Sequence, residues 1–390
     1  MSKTLILGAI APIGGILREN TAVLTDGKTI LDTDYKGAIP KDTEVIRAEG
    51  KYLLPAFIEM HAHGGGGADF ADMTKDAFDT VMRTHLSHGV TAICPTLVAS
   101  SPQKTLDFLA FCDAQVKSSP MFAGVHLEGP FLSPLMCGAQ NLSNIYPATK
   151  EMTDALCEFS ALLATVTAAP EIEGAEYLAK RMKERGVAMS VGHSNADAYA
   201  MQRAAAWGFD RITHLYSSTS RRAKQGSYVI GGIEECALID ERFNCELIGD
   251  GHHVSLESFL LTEKCKRHDG ILLVSDAMRG AGCTGLTESF LGEIKPENRV
   301  IIEDGVAKLP DRSSFAGSVG VGDTMVAALC GRYGLPITTV SHALSAVPAR
   351  LLGLEKRGKI ENGYEAELIL LDQSYKTERI FSKAAEYYPI

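Results

Sequence analysis

The sequence predicts an α/β fold, a (β/α)8 TIM barrel joined to a small β-sandwich made from both chain ends. Three observations predict it. Eight apolar runs of strand length alternate with stretches of helical period, the pattern of βα units around a parallel barrel. The chain has 390 residues, enough for one barrel of about 250 residues and an accessory unit. Short β-prone runs bounded by turn residues bracket the alternating region at both ends.

From the start of the chain, residues 4–10, 21–25 and 44–54 are β-prone, and Asp26-Gly27 and Glu49-Gly50 supply turns. Candidate barrel strands follow at 56–61, 90–97, 122–128, 164–169, 187–193, 211–215, 244–249 and 270–276, each rich in Val, Ile, Leu, Ala, Phe or Thr. Helical stretches are expected near 75–87, 103–117, 173–185, 196–207, 256–267 and 323–333. After the turn at Asn362-Gly363, the run from Glu367 to Asp372 and a second near Ile380 return to the antiparallel unit. The expected division is therefore 1–54 with 346–390 for the sandwich and 55–345 for the barrel.

Hydrophobic residues make up 45% of the chain and charged residues 22%, ordinary values for a globular protein. A net charge of -10 argues against a general nucleic-acid or membrane-surface role, which needs a basic footprint. The nine cysteines are odd in number and form no CxxC pair, so a disulfide framework is not expected and a reducing cytoplasm is. The start of the chain lacks a signal-peptide pattern, and no apolar run approaches about 18 residues.

Barrel enzymes carry their chemistry where the strands end. Strand one ends in His61-Ala62-His63, strand three in Glu128, strand five in His193, strand six in His214 and strand eight in Asp276. In a strand, residues i and i+2 share a side, so His61 and His63 can aim at one ion. An isolated carboxylate ending an apolar run, as at Glu128, is costly unless it meets a cation or strong donor.

Taken singly, each residue has an ordinary structural use: a surface histidine, a core histidine, a carboxylate paired with a barrel Arg or Lys, or a capping Asp276. Together, at five strand ends, they point to a metal site with an acid beside it. Gly64-Gly65-Gly66-Gly67 reads equally as a ligand cradle or a flexible loop.

These residues resemble the amidohydrolase superfamily and, within it, the N-acetylglucosamine-6-phosphate deacetylases, over nearly the whole chain. The carrying motifs are Pro55 to Gly64, His126-Leu127-Glu128-Gly129-Pro130-Phe131, Gly192-His193-Ser194-Asn195-Ala196, Thr213-His214-Leu215-Tyr216, Asp250-Gly251-His252-His253-Val254 and Ser275-Asp276-Ala277-Met278-Arg279. The resemblance implies that Glu128, His193 and His214 hold one divalent metal and that His61 and His63 hold a second in members that keep both. One or two ions per chain are expected, zinc first, with iron, cobalt or manganese also fitting.

The implied reaction is hydrolysis of the N-acetyl amide of an amino-sugar phosphate to the amino sugar and acetate, with Asp276 as general base and then acid. Substrate contacts implied by the family are Ala139, Gln140, Ser217, Ser218, Gln225, His253, Phe315, Ala316 and Gly317, in a homodimer. The expected ligand is a small N-acetylated amino sugar.

Three places depart from the family pattern. Ser217-Ser218-Thr219 stands where Asn-Ala-Met is usual, and Gln225 takes the place of a phosphate-binding arginine, with Arg221, Arg222 and Lys224 nearby. Gln140 stands where a substrate-contacting histidine is usual. Alternatives are a different N-acyl amino sugar, a cyclic amide or an amino-purine as substrate, or a non-catalytic barrel.

Overall fold

The computed structural model describes residues 3–388. All eight expected barrel strands form, at Phe57–Ala62, Val90–Leu97, Val125–Glu128, Leu163–Ala168, Ala188–Val191, Phe209–Ile212, Asn244–Ile248 and Ile271–Val274. They pair in parallel in chain order, which gives seven consecutive ladders. Each run is buried almost throughout, because helices cover its outer side and neighbouring strands fill the inner one.

The eighth step, between the first and last strands, is closed by other means. Asp276 N donates to His61 O at 2.9 Å and His63 N to Ala277 O at 2.8 Å. Below them the Glu59 carboxylate accepts from His61 N and Ser275 N, each at 3.0 Å. Glu59 thus replaces missing ladder bonds across the seam, and it is only 2% exposed.

The outer helices begin where a short polar side chain accepts a free backbone N–H. Thr74 caps Lys75–Ser87, Ser101 caps Pro102–Gln115, Asp197 caps Ala198–Trp207 and Ser255 caps Leu256–Lys266. The stretch expected as a helix near 323–333 starts as Gly322–Val326 and widens to a π-helix over Ala327–Arg332. Helices at Lys150–Glu158, Ile233–Ile239, Ile337–Leu344 and Ala346–Leu351 go beyond the sequence reading. The last of these seals the barrel floor, where Val347 packs with Met60, Ile248, Leu272 and Val274.

Both chain ends build one seven-stranded mixed unit. Its long first strand, Lys3–Ile13, pairs in parallel with Thr43–Arg47 along residues 3–7 and meets Tyr52–Pro55 at Ile10. Residues 44–54 are therefore two strands rather than one, divided at Glu49-Gly50, where Gly50 adopts φ 75°. Leu368–Leu371 pairs antiparallel with Tyr52–Pro55, so the far end of the chain lies against its beginning.

Candidate active site

Each chemistry-bearing residue sits at, or just beyond, the C-terminal end of a barrel strand. His193, His214 and Asp276 have φ values of 46°, 30° and 49°. This left-handed backbone costs about 1–3 kcal/mol per non-glycine residue and bends the chain sharply as it leaves the strand.

The imidazoles converge on Glu128. His193 Nδ1 faces the Met136 carbonyl at 3.0 Å, and His214 Nδ1 faces the Ser217 carbonyl at 3.1 Å. A carbonyl can only accept, so both Nδ1 atoms carry a proton, and in the neutral ring each Nε2 presents a lone pair. Those Nε2 atoms lie 3.1 Å apart and 2.9 and 2.8 Å from Glu128 Oε1. Two lone pairs and a carboxylate oxygen at such separations repel unless positive charge sits among them.

A second group adjoins the first. His61 donates Nδ1–H to Glu246 Oε1 at 2.8 Å, leaving its Nε2 3.3 Å from His63 Nε2. Glu128 Oε2 is 3.3 Å from His63 Nε2, so Glu128 belongs to both groups. Asp276 Oδ1 stands 3.1 Å from His63 Nε2 and 3.4 Å from His61 Nε2.

The charges show the same demand for a cation. Burial disfavours protonated imidazole, yet the facing carboxylates outweigh it, raising His61 well above its ordinary value and His63 to about 9. Burial also raises Glu128 and Asp276, but the imidazoles, His193 and His61 foremost, hold both below their ordinary values. The donor set, imidazole nitrogens and carboxylate oxygens, fits a divalent cation in each group.

Above these groups opens a cavity of about 300 Å³. Of the residues expected to contact substrate, Ala139, Gln140, Ser217, Ser218, His253, Phe315 and Gly317 line it. His253 is held by Asp250, with Nδ1 2.7 Å from Oδ2, and its ring packs on Phe315 with centroids 4.7 Å apart. Gly138 lies against Ser218: its φ is 58°, and a Cβ there would lie 2.5 Å from Ser218 Oγ and displace that hydroxyl.

Two expected contacts are not brought to the cavity. Ala316 is fully buried beside Met278, Val300 and Ala307. Gln225 lies on the exposed hairpin Ala223–Gln225/Tyr228–Ile230 and reaches Asp197 at 3.5 Å. On the same segment Arg221 pairs with Glu234 at 2.9 Å, while Arg222 and Lys224 are exposed. The glycine run also stays out of the cavity, as an ordered turn in which a Cβ on Gly64 would meet Ala68 O at 2.4 Å.

Leu291 and Ser314 are cavity residues that the sequence reading missed. They belong to an insertion after the eighth strand that carries a small sheet, Glu288–Phe290, Arg299–Glu303 and Val306–Lys308. Its signal is present in the sequence: Asp304-Gly305 stands between Val300-Ile301-Ile302 and Val306-Ala307, a hairpin pattern. Ile248, Glu59 and Glu246 were missed because they stand inside runs read as apolar strands.

A (β/α)8 barrel with imidazoles and carboxylates gathered at the strand ends is the architecture of a metal-dependent hydrolase. The amidohydrolase family model matches residues 52–388, and the chain belongs to that family. Within it the similarity runs to the N-acetylglucosamine-6-phosphate deacetylases. The human N-acetylglucosamine-6-phosphate deacetylase is 30% identical over 344 residues, covering 85% of this chain and 82% of the human one.

The N-acetylgalactosamine-6-phosphate deacetylase of Escherichia coli O157:H7 is 29% identical over 348 residues, covering 88% of this chain and 89% of its own. The crystal structure of the Thermotoga maritima N-acetylglucosamine-6-phosphate deacetylase superposes with a TM-score of 0.83 at 28% identity, covering 97% of this chain and 98% of that one.

Proposed function

We propose that this protein is a metal-dependent deacetylase that hydrolyses the N-acetyl amide of an amino-sugar phosphate, N-acetylglucosamine-6-phosphate or a close analogue, to the amino sugar and acetate. The observation that carries the reading is the meeting of the His193 and His214 Nε2 atoms at Glu128 Oε1, beside Asp276, at the base of an open cavity.

Glu128, His193 and His214 would hold one divalent ion, and His61 and His63, sharing Glu128, a second. Zinc suits this imidazole-rich set best. A cation held there supplies an acidic water and polarises the scissile carbonyl. Asp276 takes the proton of the attacking water and delivers it to the leaving nitrogen, so that C–N cleavage releases a neutral amine that is protonated in water. His253, fixed through Nδ1 by Asp250, presents Nε2 to the sugar, and the Ser217 and Ser218 hydroxyls suit its oxygen-rich edge.

One observation favours a second reading. Among the described residues, no Lys or Arg lines the cavity. A phosphate lacking a cationic partner would lose the charge-assisted bonds that hold such groups, so an N-acetylated amino sugar without the phosphate is the alternative substrate.

Acetate release from N-acetylglucosamine and N-acetylgalactosamine, each with and without a 6-phosphate, tests both readings. Turnover of at least one, lost on chelation and restored by zinc, is expected. No release from any of the four removes the deacetylase reading.

A cytoplasmic homodimer completes the proposal. It is supported by nine free cysteines and by the exposed apolar side chains Tyr228 and Val229 on the solvent-facing hairpin. Among the described residues, no helix is long and apolar enough to cross a membrane.

A further inference from the structure

Gln140 lines the cavity, yet its amide is turned away from a purely substrate-facing use. It is 8% exposed, and its Oε1 accepts from Ala99 N at 2.8 Å. Because a backbone N–H can only donate, this contact settles which end of the amide is which. The Nε2 group must then face Glu128, and it donates to Oε2 at 2.6 Å. Glu128 itself is 2% exposed, so the bond joins a neutral donor to a carboxylate out of water, where such bonds are strong.

The other carboxylate oxygen, Oε1, is the one facing His193 and His214. Turning the carboxylate about its Cγ–Cδ bond would exchange the two oxygens, and the Gln140 donor opposes that turn. The loop carrying Gln140 also provides the Met136 carbonyl that fixes His193. A Gln140 N to Cys137 O bond at 2.9 Å ties the two halves of this arrangement together. One loop thus sets both the proton position of a histidine and the rotation of the carboxylate beside it.

We infer that Gln140 is a positioning residue for the metal centre: through its Nε2–H···Oε2 bond it holds Glu128 with Oε1 toward His193 and His214, and so strengthens divalent-cation binding. This rests on the reading of those three residues as cation ligands. Outer partners of metal ligands commonly contribute about 10- to 100-fold in affinity. Substrate contact, by contrast, would leave cation affinity alone and act on KM.

Two substitutions of similar length separate the roles. Gln140→Met removes both contacts. Gln140→Glu keeps an acceptor for Ala99 N but places a carboxylate oxygen against Glu128 Oε2. Zinc affinity of the full-length protein is measured by chelator competition, alongside steady-state kinetics at saturating zinc and thermal unfolding of the metal-free protein.

Zinc binding weakened about 10- to 100-fold in Gln140→Met, and at least as much in Gln140→Glu, is expected. Zinc affinity should fall by much more than KM changes at saturating zinc. The metal-free variants should still unfold cooperatively, at a lower temperature than wild type, because the buried Ala99 N–H loses its acceptor in Gln140→Met and a second carboxylate meets Glu128 in Gln140→Glu. Recovery of zinc affinity in Gln140→Glu would make the Ala99 contact the operative one and overturn the inference. Unchanged zinc affinity with a raised KM would overturn it in favour of a substrate contact. A wild-type protein that binds no zinc would remove the ligand reading and this inference together.

Discussion

Glu246 Oε1 accepts the Nδ1–H of His61 at 2.8 Å, and the same oxygen accepts the backbone N–H of His214 at 3.1 Å. One carboxylate on the seventh strand therefore touches both groups of candidate ligands. It fixes the His61 tautomer and steadies the backbone from which His214 projects.

Replacing Glu246 by Leu should weaken cation binding about 10- to 100-fold, whereas Gln, which can present its oxygen to the same two donors, should do less harm. Titration with cobalt, whose visible spectrum reports its ligands, checks the ranking. Equal affinities in wild type and Glu246→Leu would show that His61 needs no such support.

Asp276 is the proposed proton carrier, and it sits 3.1 Å from His63 Nε2 without belonging to either group of three ligands. Asp276→Asn keeps the shape and removes the base. Turnover should fall by about 100-fold or more while elemental analysis finds wild-type metal content. Activity close to wild type in the metal-loaded variant would exclude this residue as base and acid.

Much of this site was legible because barrel chemistry collects where apolar runs stop. The sequence marks those stops sharply at His61, Glu128, His193, His214 and Asp276. What it hid are carboxylates inside the runs. Glu59 and Glu246 lie inside runs whose apolar neighbours disguise them, and each has one partner more than 180 residues away in chain order, Ser275 for Glu59 and His61 for Glu246.

Elsewhere the local pattern was silent or misplaced a residue. Ile337-Thr338-Thr339-Val340 is β-branched but folds as the helix Ile337–Leu344, where tertiary burial overrides propensity. Gln225 was assigned to the substrate by position alone, and the hairpin that carries it turns toward solvent beside Asp197.

Glu59 closes the barrel seam with both oxygens engaged by backbone donors, His61 N and Ser275 N. Glu59→Gln would set an amide NH2 against one of those N–H groups and leave a buried donor unpaired. Such a defect costs about 1–3 kcal/mol, to be read from urea unfolding. A loss below about 0.5 kcal/mol would mean that the seam holds without this carboxylate.

The joint between barrel and terminal sheet should respond to acid through Asp323. Its Oδ1 receives His88 Nδ1 at 2.7 Å, and its Oδ2 accepts Thr377 N at 2.8 Å, so one side chain links the first outer helix to the last strand pair. Burial would raise its pKa, but the His88 hydrogen bond, the His88 charge and the Thr377 N–H together hold it below the ordinary 3.8.

A carboxylate with a lowered folded-state pKa contributes stability that is present above its unfolded pKa and lost as pH falls through the folded value. The contribution should therefore be intact near neutrality and begin to fade only below about pH 4. Asp323→Asn lacks this titration. Urea midpoints for wild type and variant should differ most near pH 6 and draw together toward pH 3. A constant gap across that range would show that protonation of Asp323 has no part in the acid sensitivity of the joint.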